Sequence, residues 1–544
     1  MYPDRPGPAV HAALALLSAA VLMCHARTVD AATLNGEIVR PDKRQAAALI
    51  TLHSAELGRA WTLQSSVTGS FRVENLPAGP YELTVRSPGL PVLVMPLADL
   101  DKDSDLTIPL QMGPMNSALT SAEMLAYLPA DHAAGDARQL LRFHCVQCHG
   151  LEFIAAAAKT PEQWDATVKV MAGRVPPAPE GEMDRISDYL ARNFGEQNRG
   201  SVPMTGATQF SFEANAVLVE LDLPKAGAHP HDIRLGPDGN VWVADFDVRP
   251  DLEHNSLFRI DPQTLQIETI ELAVAATGAR SITFDRDGAA WVNILFGDLL
   301  ARLDPESRKV TTFPVPGGKT WPHSLSFGPE GEIWFSGMWS DVLGRFEPSS
   351  GAFSFRKVPT ERSMLYDIEV DQDGHVWYTG LFAHQLGRFD PKTGAFAEFK
   401  TPTPLSSTRY LDIGPTGDIW VSLFAAGRIA RFDPETETFE EILLPNPNGS
   451  PYDVQATEEG RVWYTDFTRN AVASFDIDER QFRQYSIPSS AYARPTELDI
   501  GADGRIWFCE NGVGKVGFID TDAIATAGVY RVPANQQKRI QNNH

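Results

Sequence analysis

At 544 residues with a formal charge of −23, the chain is too long for one hydrophobic core, and with no sustained basic stripe it is a poor partner for nucleic acid. The composition is ordinary, 43% hydrophobic and 22% charged, but 42 glycines and 40 prolines imply many turns and many short strands, so the bulk should be β.

Arg5 precedes an apolar run from Ala9 to Met23 that is too short to span a bilayer, and Val29 and Ala31 stand at −3 and −1 of a cleavage point. Residues 1–31 therefore read as a signal peptide, with the mature chain starting near Ala32 and exported to the periplasm or beyond. Val21, Leu22 and Met23 are not the small residues that precede a lipoprotein cysteine, and no later stretch is apolar enough to cross a membrane. No integral membrane segment is expected after cleavage.

Across residues 32–113, short runs such as Ala48-Leu49-Ile50-Thr51-Leu52 and Tyr81-Glu82-Leu83-Thr84-Val85 alternate apolar with polar positions between Gly and Pro turns. This pattern predicts a small β-sandwich. The stretch from Val67 to Val73 followed by Leu76-Pro77-Ala78-Gly79-Pro80-Tyr81 resembles the carboxypeptidase regulatory-like domain, which implies a binding or spacer module.

Residues 114–200 change period. Ala137, Leu140, Leu141 and His144 share one helical face, Trp164, Val168 and Met171 a second, and Ile186, Tyr189, Leu190 and Phe194 a third. Between them lies Cys145-Val146-Gln147-Cys148-His149: two thiols three residues apart reach two vinyl groups of a haem while the next His coordinates iron. The region resembles a mono-haem cytochrome c domain, which implies one covalent haem c and a Met as sixth iron ligand. Met171, ending a helix, is the choice for that ligand. Met183 is the rival, expected at the start of the last helix to pack or face solvent rather than reach iron, and His144, beside Cys145, is expected at the solvated surface. Thioether ligation raises the potential and fills the sixth position, so electron transfer with a redox partner protein is the expectation. Cys509 has no separate cysteine left for a disulfide.

Residues 206–535 repeat. Seven turns end in Gly239, Gly288, Gly331, Gly374, Gly417, Gly460 and Gly504, each with Trp three positions later, at separations of 49, 43, 43, 43, 43 and 44 residues. That is the length of a four-stranded blade, so a seven-bladed propeller is predicted, with residues 536–544 as a polar tail. Val217–Leu221 and Val529–Val532 both qualify as the outer strand that closes the ring. The predicted fold class is thus mainly β and multidomain: β-sandwich, small all-α cytochrome c domain, seven-bladed propeller.

The repeats resemble the streptogramin lyases, also called virginiamycin B lyases, which implies ring-opening elimination with magnesium held by His and Glu at the channel mouth. Where the lyases place a Glu and a His about a Pro, this chain reads Arg494-Pro495-Thr496-Glu497-Leu498, so both are missing from their places; Glu510 matches the family's later Glu. The eighth residue before each turn Gly gives His231, Arg280, His323, Tyr366, Arg409, Tyr452 and Thr496, and the next gives Asp232, Ser281, Ser324, Asp367, Tyr410, Asp453 and Glu497. These form an expected polar ring near one mouth, a pocket for a small molecule, a peptide or Mg2+, or a set of groups bonding each other and water. The leading expectation is electron transfer with the propeller as binding module. The others are a lyase using His231, His323 and Glu510, and a non-catalytic scaffold.

Overall fold

The computed structural model describes residues 31–129, 137–146, 150–173, 178–198, 202–206, 211–249, 253–275, 277–446, 448–488, 490–524 and 528–536. Nearly all of the expected signal segment and polar tail, and Gln147, Cys148 and His149 of the haem motif, lie outside the described residues.

The protein is mainly β and its largest part is a propeller. Six four-stranded antiparallel sheets follow in chain order over residues 230–271, 279–314, 322–357, 365–400, 408–443 and 451–486. A seventh set, Pro495–Ile500, Ile506–Glu510 and Lys515–Asp520, takes its outer strand from Val217–Asp222, with Val219 opposite Phe518. Joining the start of the propeller to its end leaves the ring without an open seam. The rival closing strand, Val529–Arg531, pairs instead in parallel with Ser70–Leu76.

Two residue types build each blade. The turn glycines sit at φ between +74° and +91°, a region that penalises any Cβ, so the hairpin between the first two strands is tight. The Trp that follows is buried against the next blade: Trp334 packs with Leu365 and Ile368, Trp377 with Leu411 and Val421, Trp420 with Val454 and Val462. Each such indole contributes roughly 2–3 kcal/mol of apolar burial.

The N-terminal strands divide between two sheets that share one apolar cluster. Ala32–Val39 lies between Ser70–Leu76 and Ser104–Pro109, while Arg59–Gln64, Leu49–Ser54, Gly79–Arg86 and Leu93–Leu100 extend the seventh blade into an eight-stranded sheet through Arg59–Gln64 and Val217–Asp222. Residues 32–109 are therefore continuous with the propeller rather than tethered beside it.

Among the described residues five α-helices occur, α1 Ser121–Leu125, α2 Ala137–His144, α3 Glu152–Ala156, α4 Pro161–Ala172 and α5 Glu182–Asn193. Thr120 and Thr160 cap α1 and α4 reciprocally with Glu123 and Gln163. Leu140, Leu141, Trp164, Val168, Ile186, Tyr189, Leu190 and Phe194 share one core, as their periodicity predicts, but Met171 stands apart at 39% exposed.

These helices rest on the propeller. Arg142 of α2 donates to the carbonyls of Phe424 and Gly449 and to Ser450 Oγ, Phe143 meets Phe382 edge-on at 4.9 Å, and Arg494 pairs with Glu152. All these propeller partners belong to loops of blades four to seven, on the face where each innermost strand begins.

Candidate functional site

The ring predicted from the repeat forms, and its positioning has a common device. In blades two to seven the first two strands shift register near the start of the innermost strand, for example between Leu365 and Ile368, so Tyr366 and Asp367 leave the ladder and turn toward the channel. A short polar residue on the second strand holds the bulge. Thr379 Oγ1 accepts the Asp367 amide at 3.0 Å and donates to the Arg409 carbonyl of the next blade at 2.7 Å. Ser422 does the same between Tyr410 and Tyr452, Ser336 between Ser324 and Tyr366, and Thr465 between Asp453 and Thr496. Thr496 Oγ1 then reaches the His231 carbonyl at 2.9 Å and completes the circle.

Within the ring the hydrogen bonds run one way. Arg409 and Arg280 donate to the Tyr366 oxygen at 2.6 and 3.3 Å, and the Tyr366 and Tyr452 hydroxyls lie 3.0 Å apart. Tyr366 already accepts twice, so it donates to Tyr452, and Tyr452 donates to His231 Nε2 at 3.0 Å. His231 Nδ1–H then donates to Glu497 Oε2 at 2.6 Å, while Arg280, at 2.8 Å, and the Tyr410 hydroxyl donate to Glu497 Oε1. Arg409 also lies over the Tyr452 ring at 3.9 Å.

Protonation states follow from these contacts. Burial alone would raise Glu497, but His231 and Arg280 beside it hold the carboxyl down at about 2, so it is an anion. Burial and then the Arg280 charge push His231 to about 4, against the opposing pull of Glu497, and the imidazole is neutral at pH 7. The close His231–Glu497 pair is therefore a hydrogen bond from a neutral ring to a carboxylate. His323 gives its Nδ1–H to the Tyr366 carbonyl at 2.6 Å, and burial drives it well below the usual range.

Glu510 is not part of this ring. It is fully buried in blade seven with Glu220 and Lys515 as its charged neighbours, and burial followed by the Glu220 charge raises it well above the ordinary carboxylate range. His231 and His323 are thus brought together and Glu510 is kept apart. Among the described residues no three His, Cys, Asp or Glu side chains are grouped so as to hold a metal ion.

A further layer, missed in the sequence, lies below the ring. Two residues beyond each Asp232-type position stand Arg234, Thr283, Ser326, Glu369, Asp412, Gln455 and Asp499, on the same side of the innermost strands. Acids of both layers clamp the next blade through one oxygen: Asp232 takes the Ile282 amide at 2.8 Å, Asp367 that of Leu411 at 3.0 Å, Glu369 that of Ile413 at 3.1 Å and Asp412 that of Ala456 at 2.7 Å. Strand alternation applied to the aligned repeats would have revealed this layer.

In the helical segment, Cys145 follows directly on α2 and packs partly buried against the helical core, while Cys148 and His149 lie outside the described residues. His144 corrects the expectation of a solvated histidine. It is 7% exposed, bonds Glu182 at 2.8 Å, and burial depresses its basicity, because α2 turns this face onto α5 and Phe382. Met183 packs partly buried against the helical core, the first of the two placements expected for it. Met171 joins Tyr127, Phe153 and Val170 as the large apolar side chains that the helical segment leaves exposed.

Residues 265–538 match the family model described as the virginiamycin B lyase family. The selenomethionine form of virginiamycin B lyase from Staphylococcus aureus is 22% identical over 56% of this chain and 99% of its own, with a TM-score of 0.51. A streptogramin B lyase structure is 22% identical over 57% and 99%, with a TM-score of 0.52. A catalytically inactive histidine-to-alanine variant of the Staphylococcus aureus enzyme with quinupristin is 23% identical over 56% and 99%, with a TM-score of 0.51. At this identity the likeness is one of fold. No match was found among curated proteins.

Proposed function

Because the chain belongs to the virginiamycin B lyase family, its propeller is a streptogramin lyase-like scaffold, and we propose that the whole protein is an exported c-type haem protein in electron transfer, with that propeller binding a substrate or partner. The observation that carries the proposal is the Cys145-Val146-Gln147-Cys148-His149 motif at the end of a helix whose Arg142 and Phe143 are seated on the propeller.

Cys145 and Cys148 would tether the haem through thioethers, and His149 and Met171 would ligate its iron. The donors suit the group: Cys145 is partly buried at a helix end, and Met171, Val170, Phe153 and Tyr127 offer apolar surface that the helical core does not use. When bound, haem supplies one-electron chemistry. The chain itself fixes α2 by the Arg142 contacts and holds His144 on Glu182, away from any ligand role.

Protein matured in a host that assembles c-type cytochromes should be red and give a pyridine haemochrome, and Cys145→Ser with Cys148→Ser should abolish the colour. Met171→Ala should lower the potential and remove the Met-to-iron charge-transfer absorption. Colourless wild-type protein overturns the proposal.

The second reading, carbon–oxygen lyase action on a cyclic depsipeptide, is favoured by the placing of His231 and His323 in one ring. It meets a chemical obstacle: both His231 nitrogens are engaged, so a base there must first lose the Tyr452 hydroxyl. Incubation with a streptogramin B and magnesium tests it, and an intact ring ends it.

A further inference from the structure

Below the ring the channel opens into a cavity of about 210 Å3, room for a small ligand or a few water molecules. Asp232, Asp367, Glu369, Asp412 and Asp453 line it, and among the described residues Arg234 is the one basic residue on its wall. Five carboxylates against one guanidinium leave a formal charge of −4 from these six residues.

Part of this acidity is structural. Each of these acids gives one oxygen to a backbone amide of the following blade, Asp453 to that of Leu498 at 2.9 Å completing the set. That duty needs an acceptor and not a charge, and Ser326 fulfils it for Val370 with a hydroxyl at 3.1 Å. Asp453 gives its other oxygen to the Val454 amide at 2.8 Å, and Asp367 is also bonded by Ser324 and the Ile368 amide, so the oxygen left over is that of Asp232. Asp232 is 1% exposed, and its Oδ1 has no hydrogen-bond partner, only the Arg234 guanidinium at 3.7 Å. A buried carboxylate oxygen on a cavity wall without a donor is costly unless something positive enters.

We propose that this cavity binds a small organic dication, an aliphatic diamine. Size and spacing select that class. No three of the acids are grouped tightly enough for a metal ion. They occupy two layers two residues apart along the innermost strands, a step of about 6.6 Å, which a chain of about four methylenes between two ammonium groups bridges. Ammonium groups bring several donors each, matching Asp232 Oδ1, the Glu369 and Asp412 carboxylates of the second layer, and the serine and threonine hydroxyls between them. Burial, with the Glu497 charge and against the opposing pull of Arg234, raises Asp232 to about 6.

Isothermal titration of the full chain with 1,4-diaminobutane at pH 8, with butane-1,4-diol and MgCl2 as comparison probes, tests the proposal. Saturable binding of the diamine and none of the diol is expected, weakened at least tenfold at pH 5 and in Asp232→Asn and Glu369→Gln, which keep an acceptor for the blade contacts. Exposed Glu361→Gln should bind as wild type. No saturable binding of the diamine, equal binding by the diol, tighter binding of Mg2+ at the same site, or undiminished affinity in Asp232→Asn would each overturn it. If the variants fail to fold, the pH dependence of wild-type binding still decides, since affinity unchanged between pH 5 and pH 8 contradicts carboxylate recognition.

Discussion

Glu497→Gln is the most informative single change in the ring. The carboxylate is fully buried and takes hydrogen bonds from His231, Arg280 and Tyr410. A carboxyl held at about 2 in place of its ordinary 4.5 contributes about 3 kcal/mol at neutral pH. Removing one member of a buried pair leaves the other charge uncompensated, at about 3–5 kcal/mol, so two separate routes agree on the size. Glutamine keeps the shape, but its NH2 group facing His231 Nδ1 forces the imidazole to carry its proton on Nε2, against the Tyr452 hydroxyl that now donates there. The whole chain of donors must reverse. Thermal unfolding of the full protein at pH 7, followed by tryptophan fluorescence, should show a midpoint lowered by roughly 3–5 °C. A drop below about 2 °C would refute the reasoning. Arg280→Met combined with Glu497→Gln should cost less than the sum of the two single changes, because each alone strands the other's charge, and strict additivity would also refute it.

Ser422→Ala should destabilise by about 2–4 kcal/mol in denaturant titration, since it strands the Tyr410 amide and the Tyr452 carbonyl, whereas Ser422→Thr, the residue standing at this place in blades four and six, should be nearly silent. In paired melts between pH 3 and 8, Asp367→Asn should gain on wild type as pH rises from 4 to 7, and Glu497→Gln should lose ground as pH rises from 3 to 5. Burial raises Asp232 and Asp367 to about 6 from 3.8, so their contribution is full below 3.8 and lost as pH rises through 6, while that of Glu497 is present above 4.5 and lost as pH falls toward 2. A gap between wild type and Asp367→Asn that stays constant from pH 4 to 7 would contradict these assignments. Arg142→Met should speed amide exchange in α2 and leave blades one to three unchanged, because the Phe424, Gly449 and Ser450 contacts are lost only there.

The repeat made most of the propeller legible. A turn Gly at positive φ and a Trp filling the gap to the next blade are local requirements that recur, so they appear in the sequence at fixed offsets, and so does the ring they carry. What the repeat hid was which neighbour a residue uses. His231 and Glu497 are 266 positions apart and meet because the ring closes, and Val217–Asp222 rather than Val529–Arg531 closes it because the latter finds a free edge beside Ser70–Leu76. His144 was misread for the same reason. Its own helix places it beside Cys145, but α5 and the propeller loop bearing Phe382 cover that face. Glu510 shows the limit of motif matching, since the position agrees with the lyase pattern while its charged partners, Glu220 and Lys515, come from strands that the motif does not include.

The ring and its covering helices constrain function together. A catalytic base needs a lone pair that the resting protein leaves available, and an open approach for the substrate. At His231 the lone pair is given to Tyr452, and over blades four to seven the approach is occupied by α2 and its neighbours, locked by Arg142 and by the Arg494–Glu152 pair. Relay and recognition make no such demand. They need fixed distance and fixed orientation, which a saturated network of buried hydrogen bonds supplies. The segment bearing Cys145 is thus held against the propeller by buried contacts, an arrangement that fits the proposed relay better than it fits proton abstraction at His231.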